Sequence, residues 1–235
     1  MTTKQEVKNW YNERHIRTKE KSWRIPDAYK LVLTYFKTEP GKKFLDIGFG
    51  TGYLLKAAAE KGLETYGIDP SEEGAKIAQR NSPTSKIFVG FGEDLKFDSN
   101  FFDYVTCIGV LEHFLDIDKG LNEIRRVIKK DGTACIVVPN IDFIYWKFKK
   151  NKGTEQTDIS ETLMSLDGWR DRFIKQGFEV LGITKDDWYL KEPIDIKPFS
   201  FKKVMRAIKK LIYKFIWLFV PIKYTYQFVF ILKKK

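Results

Sequence analysis

The sequence has 235 residues, of which 43% are hydrophobic and 31% are charged. This length and composition fit one main folded domain with its own core, and they exclude the disordered and fibrous classes of protein. The formal net charge is +11, and +10 of it lies in residues 191–235, where eleven Lys and one Arg stand against Glu192 and Asp195. Because positive charge confined to one segment is a poor match to a nucleic-acid-binding face, nucleic acid is not an expected partner.

Cysteine and histidine usage bears on location and on metal binding. Cys107 and Cys135 each lie in an apolar run typical of a strand, where a thiol behaves as a small buried hydrophobic group. His15 and His113 are the only histidines and form no Cys/His cluster at ligand spacing, so no metal site is expected. The first residues are charged throughout and lack a signal-peptide core, which favours a cytoplasmic location.

The predicted elements begin with a helical pattern over residues 3–37, broken at Pro26, which suits the first turn of a second helix. Short apolar runs then alternate with helical patterns. The predicted strands are 43–47, 64–68, 86–89, 102–108 and 133–138, and the predicted helices among them are 52–61, 71–81 and 118–129. This alternation predicts an α/β, doubly wound, mostly parallel sheet with helices on both faces. A helix over 163–176 and strands over 178–183 and 224–232 follow.

A glycine-rich turn joins the first predicted strand to the next helix. Gly48, Gly50 and Gly52 allow the backbone to bend sharply and to approach a ligand with free N–H groups at the helix start. Such a turn is also found without a ligand and in dinucleotide sites. Asp69 ends the second strand, where a carboxylate can accept both hydroxyl hydrogen bonds of a ribose, although it could also cap the helix near Ser71.

Four segments in order resemble the class I S-adenosylmethionine-dependent methyltransferases, in particular the branch of the ubiquinone and menaquinone methyltransferases. LDIGFGTG at 45–52 is similar to the first family motif, with Phe49 in place of the common cysteine, and GID at 67–69 is similar to the second. The segments 92–114 and 124–140 resemble the adenine-loop and fifth-strand regions. The adenine loop departs from the family pattern, because Gly90-Phe91-Gly92-Glu93 lacks the usual aspartate.

The resemblance implies S-adenosylmethionine as cofactor and a seven-stranded Rossmann-like sheet with an antiparallel last strand. It places Gly48, Phe49 and Gly50 against the methionyl part of the cofactor and Asp69 at the ribose. It also places Gly92 and Glu93 at the adenine, where Glu93 or Asp94 serves the amine. The resemblance also implies that Gly109 forms the floor of the methyl pocket. The cofactor-binding set implied in this way is Asp46, Gly48, Phe49, Gly50, Asp69, Pro70, Gly92, Glu93 and Gly109.

His113 is the candidate general base, because it follows the fourth strand at the carboxyl edge of the sheet, where open α/β folds bind ligands. A hydroxyl acceptor must lose a proton near the transition state, whereas a carboxylate acceptor needs no base. The alternative is that Glu112 and His113 only organise the loop. Trp10 and Tyr11 are candidates for a helical lid over the cofactor, or are simply packed.

The basic segment contains a predicted amphipathic helix over 201–220, capped by Ser200 and stopped by Pro221. Its lysines exclude a membrane-spanning role. A basic helix with a large apolar face is typical of helices that lie in a membrane interface, and the alternative is that this face packs on the domain or in a dimer. The prediction therefore includes a peripheral position on the inner face of a membrane through residues 199–220.

These patterns divide the chain into a helical lid over 1–38, a core over 39–190, a basic helical insertion over 191–223, and a last strand with a basic end over 224–235. The expected activity is methyl transfer to a small molecule, a lipid or a lipid-linked saccharide. Two alternatives stay open, an NAD-type oxidoreductase and a protein that binds S-adenosylmethionine without catalysis.

Overall fold

The computed structural model describes residues 3–35, 37–148, 161–191 and 200–235. Seven strands form one sheet in the order β3-β2-β1-β4-β5-β7-β6. Strands β1 to β5 run parallel to one another, and β7 lies antiparallel between β5 and β6. The strands are β1 Lys43–Ile47, β2 Glu64–Asp69, β3 Lys86–Val89, β4 Phe102–Ile108, β5 Ile128–Pro139, β6 Phe178–Lys185 and β7 Gln227–Lys234. The predicted α/β sheet with its antiparallel last strand is confirmed.

Eight α-helices are present in the described residues. They are α1 Lys4–Thr18, α2 Pro26–Val32, α3 Tyr53–Glu60, α4 Glu72–Asn81, α5 Ile117–Val127, α6 Leu166–Lys175, α7 Trp188–Lys191 and α8 Phe201–Phe219. Side-chain caps fix several starts, because Ser71, Asp116 and Ser165 each accept a backbone N–H from the first turn of the helix that follows. In the described residues, none of the helices combines the length and low charge needed to cross a bilayer.

Hydrophobic cores lie on both faces of the sheet. On one face, α5 and α6 contribute Leu121, Ile124, Trp169 and Phe173. On the other, α2, α3 and α4 contribute Val32, Leu55 and Ala78, among others. Apolar residues at helical spacing on these elements therefore cover both sides of the parallel strands, as a doubly wound fold requires.

Several predicted boundaries were wrong. The first two helices end at Thr18 and Val32, before the predicted residues 25 and 37. Two other boundaries have a clear cause. The helix over 118–129 ends at Val127, because Ile128 already pairs with Phe102 at the start of a longer β5. The last strand begins at Gln227 rather than at residue 224, because residues 222–224 form a 3-10 turn in which the Thr225 hydroxyl donates to the Ile222 carbonyl. Both errors arose where a tertiary pairing or a turn ended a pattern that the local sequence would have continued.

The topology brings many strand ends together at one edge. Strands β1, β2, β4 and β5 are parallel, and β6 runs in the same direction because β7 is antiparallel to both β5 and β6. The carboxyl ends of these strands and the start of β7 therefore meet at the same edge of the sheet. Ligands of open α/β folds bind at this edge.

Candidate functional site

A cavity of about 600 Å³ opens at the carboxyl edge of the sheet. This volume is within the range of small-molecule sites, roughly 300–1,000 Å³. Its walls come from the ends of β1, β2 and β4, from α1 and the segment before α2, and from residues near the ends of β6 and β7. All ten residues predicted for the site line it, namely Asp46, Gly48, Phe49, Gly50, Asp69, Pro70, Gly92, Glu93, Gly109 and His113.

The glycine turn uses conformations that favour glycine. Gly48, Gly50 and Gly52 have φ values of +75°, +54° and +78°. A side chain at Gly48 would strike Val110, whereas the space beside Gly50 is open for 4 Å. The turn therefore presents backbone to the cavity at Gly50, where a ligand can approach closely.

Asp69 supports this turn from the end of β2. Its carboxylate is 5% exposed and accepts the backbone N–H of Gly50 at 3.0 Å and that of Ser71 at 2.9 Å. The N-cap of α4 is Ser71, whose hydroxyl accepts the Gly74 N–H, so the alternative that Asp69 is the cap was wrong. Burial raises the pKa of Asp69 to about 6. Each oxygen has accepted one amide and keeps lone-pair capacity for a ligand hydroxyl.

Two further residues of the predicted set have strong packing roles. Asp46 is 3% exposed, accepts the Thr106 hydroxyl at 2.7 Å, and has its pKa raised to about 7 by burial. The ring of Phe49 belongs to the core cluster that contains Leu55, and a side chain at Gly67 would strike it. Phe49 therefore places its ring in the core, which leaves its backbone to contact a ligand.

The predicted adenine end is formed by residues 90–93 and the segment after β4. Glu93 is 4% exposed and accepts the Leu115 N–H at 2.9 Å. A side chain at Gly92 would meet the Phe114 ring at 2.2 Å, which explains the glycine there. Asp94 is exposed, pairs with Lys96 at 2.7 Å and is not in the cavity wall. Of the two acids predicted for the adenine amine, Glu93 is the one that lines the cavity.

Gly109 and His113, in the segment after β4, lie close to a buried acid. Gly109 has φ +67° and a hypothetical Cβ would lie 3.8 Å from Glu112 Oε1. Glu112 is 2% exposed, its Oε2 has no hydrogen-bond partner in the described residues, and burial raises its pKa to about 8. Glu112, His113 and Glu161 offer ligand-type atoms within 4.8 Å of one another. The expectation of no metal site did not foresee this group, because Glu161 is remote in sequence.

The first two helices and the segment between them cover this edge. Helix α1 is held on α4 by Asn12, whose side-chain oxygen accepts the Ser71 hydroxyl at 2.8 Å, and by Lys8, which pairs with Glu72 at 2.6 Å. Tyr11 lines the cavity, as a lid residue would, and Trp10 packs edge-on against its ring. The covering segment is therefore fixed to the helix that follows Asp69.

The comparisons with known proteins agree with this geometry. The family model described as a methyltransferase domain matches residues 45–136, the segment that contains the glycine turn, Asp69, Glu93 and His113. Residues 45–136 of the chain therefore carry a methyltransferase domain.

Relatives of this methyltransferase domain include quinone methyltransferases. The chain is 33% identical over 120 residues to the demethylmenaquinone methyltransferase of Chlorobaculum tepidum, covering 51% of this chain and 49% of the relative. It is 34% identical over 97 residues to the ubiquinone biosynthesis O-methyltransferase of Chromobacterium violaceum, covering 39% and 42%. The chain thus spans about half the length of these curated relatives.

Solved structures show the same fold at lower identity. A methyltransferase solved in complex with the Haloferax volcanii activator Trm112 has a TM-score of 0.71 at 21% identity, with 97% of each chain covered. Phosphoethanolamine N-methyltransferase 2 of Haemonchus contortus, solved with S-adenosyl-L-methionine, has a TM-score of 0.64 at 20% identity, with 99% of this chain and 57% of that chain covered. The cyclase SpnF has a TM-score of 0.68 at 16% identity, with 99% and 96% covered. The fold therefore hosts more than one kind of reaction.

Several residues of the methyltransferase domain's cavity were missed by sequence reasoning. Arg14 is 7% exposed, lines the cavity and stacks its guanidinium 4.0 Å from the Trp23 ring centroid. Arg24 is 8% exposed, pairs with Asp186 at 2.6 Å and donates to the Gln227 side chain at 3.0 Å. No local pattern marks these contacts, because the partners of Arg24 come from far along the chain.

Proposed function

We propose that this protein transfers the methyl group of S-adenosylmethionine to a small-molecule, lipid or lipid-linked saccharide acceptor. One observation carries the proposal. The glycine turn, Asp69 and Glu93, called here the cofactor end, line the same cavity as Gly109, Glu112 and His113, called here the acceptor end. Cofactor and acceptor can therefore share one space of about 600 Å³.

The residues at the first end fit the parts of the cofactor. The open backbone at Gly50 suits the methionyl chain, and the remaining lone pairs of Asp69 suit the ribose hydroxyls. The buried cation Arg14 faces the same cavity and suits a carboxylate. Bound S-adenosylmethionine supplies an electrophilic methyl group on a sulfonium.

The acceptor end is rich in aromatic side chains. Those lining the cavity from the segments beyond β5 are Phe143, Tyr145, Trp146, Trp188 and Tyr226. Such walls favour an acceptor with a ring or an apolar body, which large aromatic surfaces desolvate well. One relative is named for a quinone substrate and another for ubiquinone biosynthesis, which makes quinone precursors the first acceptors to test.

The protein contributes mainly alignment to such a displacement. Holding two reactants in line accounts for about 7–11 kcal/mol of barrier lowering in well-oriented systems. A hydroxyl acceptor would need to lose its proton, and His113, 5% exposed in the cavity wall, is the proposed base. The cavity wall taken as a whole is predominantly apolar, which favours displacement of water when both reactants are bound.

Calorimetry with S-adenosylmethionine, its demethylated product and NAD tests the cofactor, and transfer of a radiolabelled methyl group to membrane and soluble extracts tests the reaction. We expect binding of the two sulfur nucleosides, no binding of NAD, and a labelled product. Binding of NAD alone would favour the oxidoreductase alternative. Affinity for S-adenosylmethionine with no labelled acceptor in any extract would favour a binding protein without catalysis.

A further inference from the structure

Helix α8 carries a surface that methyl transfer does not use. Six of its large apolar side chains lie within an arc of about 80° at 100° per residue, and each is between 44% and 79% exposed. They are Phe201, Met205, Ile208, Ile212, Phe215 and Phe219, called here the apolar face. Single exposed apolar side chains are ordinary, whereas a contiguous patch marks an interaction surface.

The opposite side of α8 is the one that contacts the protein. The Trp217 indole N–H donates to Asp187 Oδ1 at 2.9 Å, and Lys214 Nζ donates to the Leu190 carbonyl at 2.6 Å. Lys185 Nζ donates to the Trp217 carbonyl at 3.1 Å. A surface helix of a globular domain normally buries its apolar side, so this orientation is inverted. The apolar face is therefore available to a partner.

The charges beside the apolar face narrow the choice of partner. Helix α8 has six cationic residues and no acidic one. Lys202, Arg206 and Lys209 are exposed and flank the apolar face. A second copy packed on the same face would bring like charges together, which is unfavourable. An anionic lipid surface offers both the apolar interior and the opposite charge.

Helix α8 is also joined to the cavity. Asp187 and Leu190 accept the hydrogen bonds that hold the helix. Between them in the chain is Trp188, whose side chain lines the cavity. Two aromatic residues of the cavity wall, Trp23 and Tyr145, are more than half exposed. A bilayer on α8 would therefore lie on the edge of the sheet at which the cavity opens.

We propose that the apolar face of α8 docks into an anionic lipid bilayer, with Lys202, Arg206 and Lys209 at the level of the head groups. The acceptor is then an amphiphile whose reacting end enters the cavity while its tail stays in the bilayer. The docking part of this proposal depends only on the observations made on α8. The acceptor part rests on the proposed methyl transfer.

Co-sedimentation of the full chain with vesicles tests the docking part. We expect binding to vesicles of phosphatidylcholine and phosphatidylglycerol in equal amounts, and weaker binding to phosphatidylcholine alone or at raised salt. The double change Phe215→Glu and Phe219→Glu should weaken binding at least roughly tenfold. Leu181→Glu is the matched control, because Leu181 is also an apolar residue, 51% exposed, but lies on β6 rather than on α8. This change should leave vesicle binding unchanged.

Calorimetric affinity for S-adenosylmethionine and the melting temperature should stay the same in all variants, which shows that the fold is intact. Equal vesicle binding by the wild type and the double variant would overturn the docking, as would absent binding to anionic vesicles. A wild-type dimer that the double variant dissociates, without lipid binding, would assign the apolar face to a second copy and overturn it too.

Activity on a lipid acceptor separates the two parts of the inference. We expect the double variant to be slow on an acceptor embedded in vesicles and normal on the same acceptor dispersed in detergent. An equal rate on both would overturn the acceptor part. Lipid binding without any affinity for S-adenosylmethionine would refute the proposed methyl transfer while leaving the docking intact.

Discussion

The two ends of the cavity are built in different ways. The cofactor end is formed by the glycine turn, Asp69 and Glu93, which all follow strands of the parallel sheet within residues 46–93. The acceptor end combines Arg24, His113, Glu161 and Trp188 from segments that are remote in sequence. The first end depends on local backbone geometry, whereas the second depends on how distant segments pack. Variants that affect one end and spare the other can test this division.

The largest expected effect is at the ribose position. Asp69→Asn should weaken the affinity for S-adenosylmethionine roughly 100-fold, since hydrogen bonds to a charged acceptor are worth about 1.5–3 kcal/mol each. Titration calorimetry measures the change. The matched control is Asp94→Asn, because Asp94 is an exposed acid nearby that pairs with Lys96 and does not line the cavity. A comparable loss in both variants would mean that Asp69 has no specific contact with the cofactor.

The next effect should appear at the acceptor end. His113→Ala should lower turnover at least about tenfold at saturating cofactor, because general-base catalysis contributes roughly 100-fold or more. Affinity for S-adenosylmethionine should change far less than turnover, because a base contacts the acceptor rather than the cofactor. Unchanged turnover would reject the role as a base.

Chelation distinguishes a base from a metal ligand at His113. If His113 acts as a base, EDTA should leave turnover of the wild-type protein unchanged. Loss of turnover with EDTA and its return with Mn²⁺ would instead make Glu112, His113 and Glu161 a ligand set.

A smaller effect is expected at the glycine turn. Gly50→Ala should weaken cofactor binding roughly fivefold and cost about 1 kcal/mol of stability, because an L residue at positive φ is strained. Gly41→Ala is the matched control, since Gly41 also has positive φ and open space but lies outside the cavity. It should show the stability loss in urea unfolding without the loss of affinity. Equal affinity losses would show that strain, rather than ligand contact, is responsible.

The smallest effect is the pH dependence of stability. Burial raises the folded-state pKa of Asp46 to about 7 and of Glu112 to about 8. The folded protein thus holds protons that the unfolded chain has lost, so the free energy of unfolding should fall as pH rises towards these values, by about 1.4 kcal/mol per pH unit for each group. Buried His15, whose pKa is lowered to about 4, acts in the opposite direction only below its unfolded pKa of about 6.5.

Urea unfolding between about pH 6.5 and 8 avoids the contribution of His15. Glu112→Gln should reduce the dependence of the unfolding free energy on pH up to about pH 8, whereas Asp46→Asn should reduce it only up to about pH 7. The two buried acids can therefore be distinguished by the pH range in which each change acts. A slope that neither change alters would contradict the assignment of these buried acids.

Much of the fold followed from the sequence because its signals are local. Apolar runs marked the strands, and the glycines at 48, 50 and 52 marked a turn that requires positive φ. The segment from Gly48 to Glu93 was identified for the same reason, since each residue follows a strand whose direction is fixed by the βαβ pattern. All of its predicted members line the cavity.

The acceptor end could not be predicted from the sequence, because its contacts join segments that are far apart in the chain. In the sequence, Arg24 is an ordinary basic residue shortly before Pro26. Only the fold shows that it contacts Asp186 and Gln227. Glu161 joins Glu112 through a long connection, held by the Thr162 N–H that donates to the Glu112 carbonyl at 2.9 Å. The orientation of α8 was also hidden, because periodicity defines the faces of a helix but not which face meets the domain.

The buried ion pair of Arg24 has a consequence for how the protein is made. Its partners Asp186 and Gln227 are 162 and 203 positions later in the chain. During synthesis on the ribosome, β1, β2 and β4 emerge and can pair long before these partners exist. We expect the nascent chain to pass through a stage in which the glycine turn is formed and α1 already lies on α4, whereas the Arg24 segment between α1 and α2 settles only when β7 has joined the sheet.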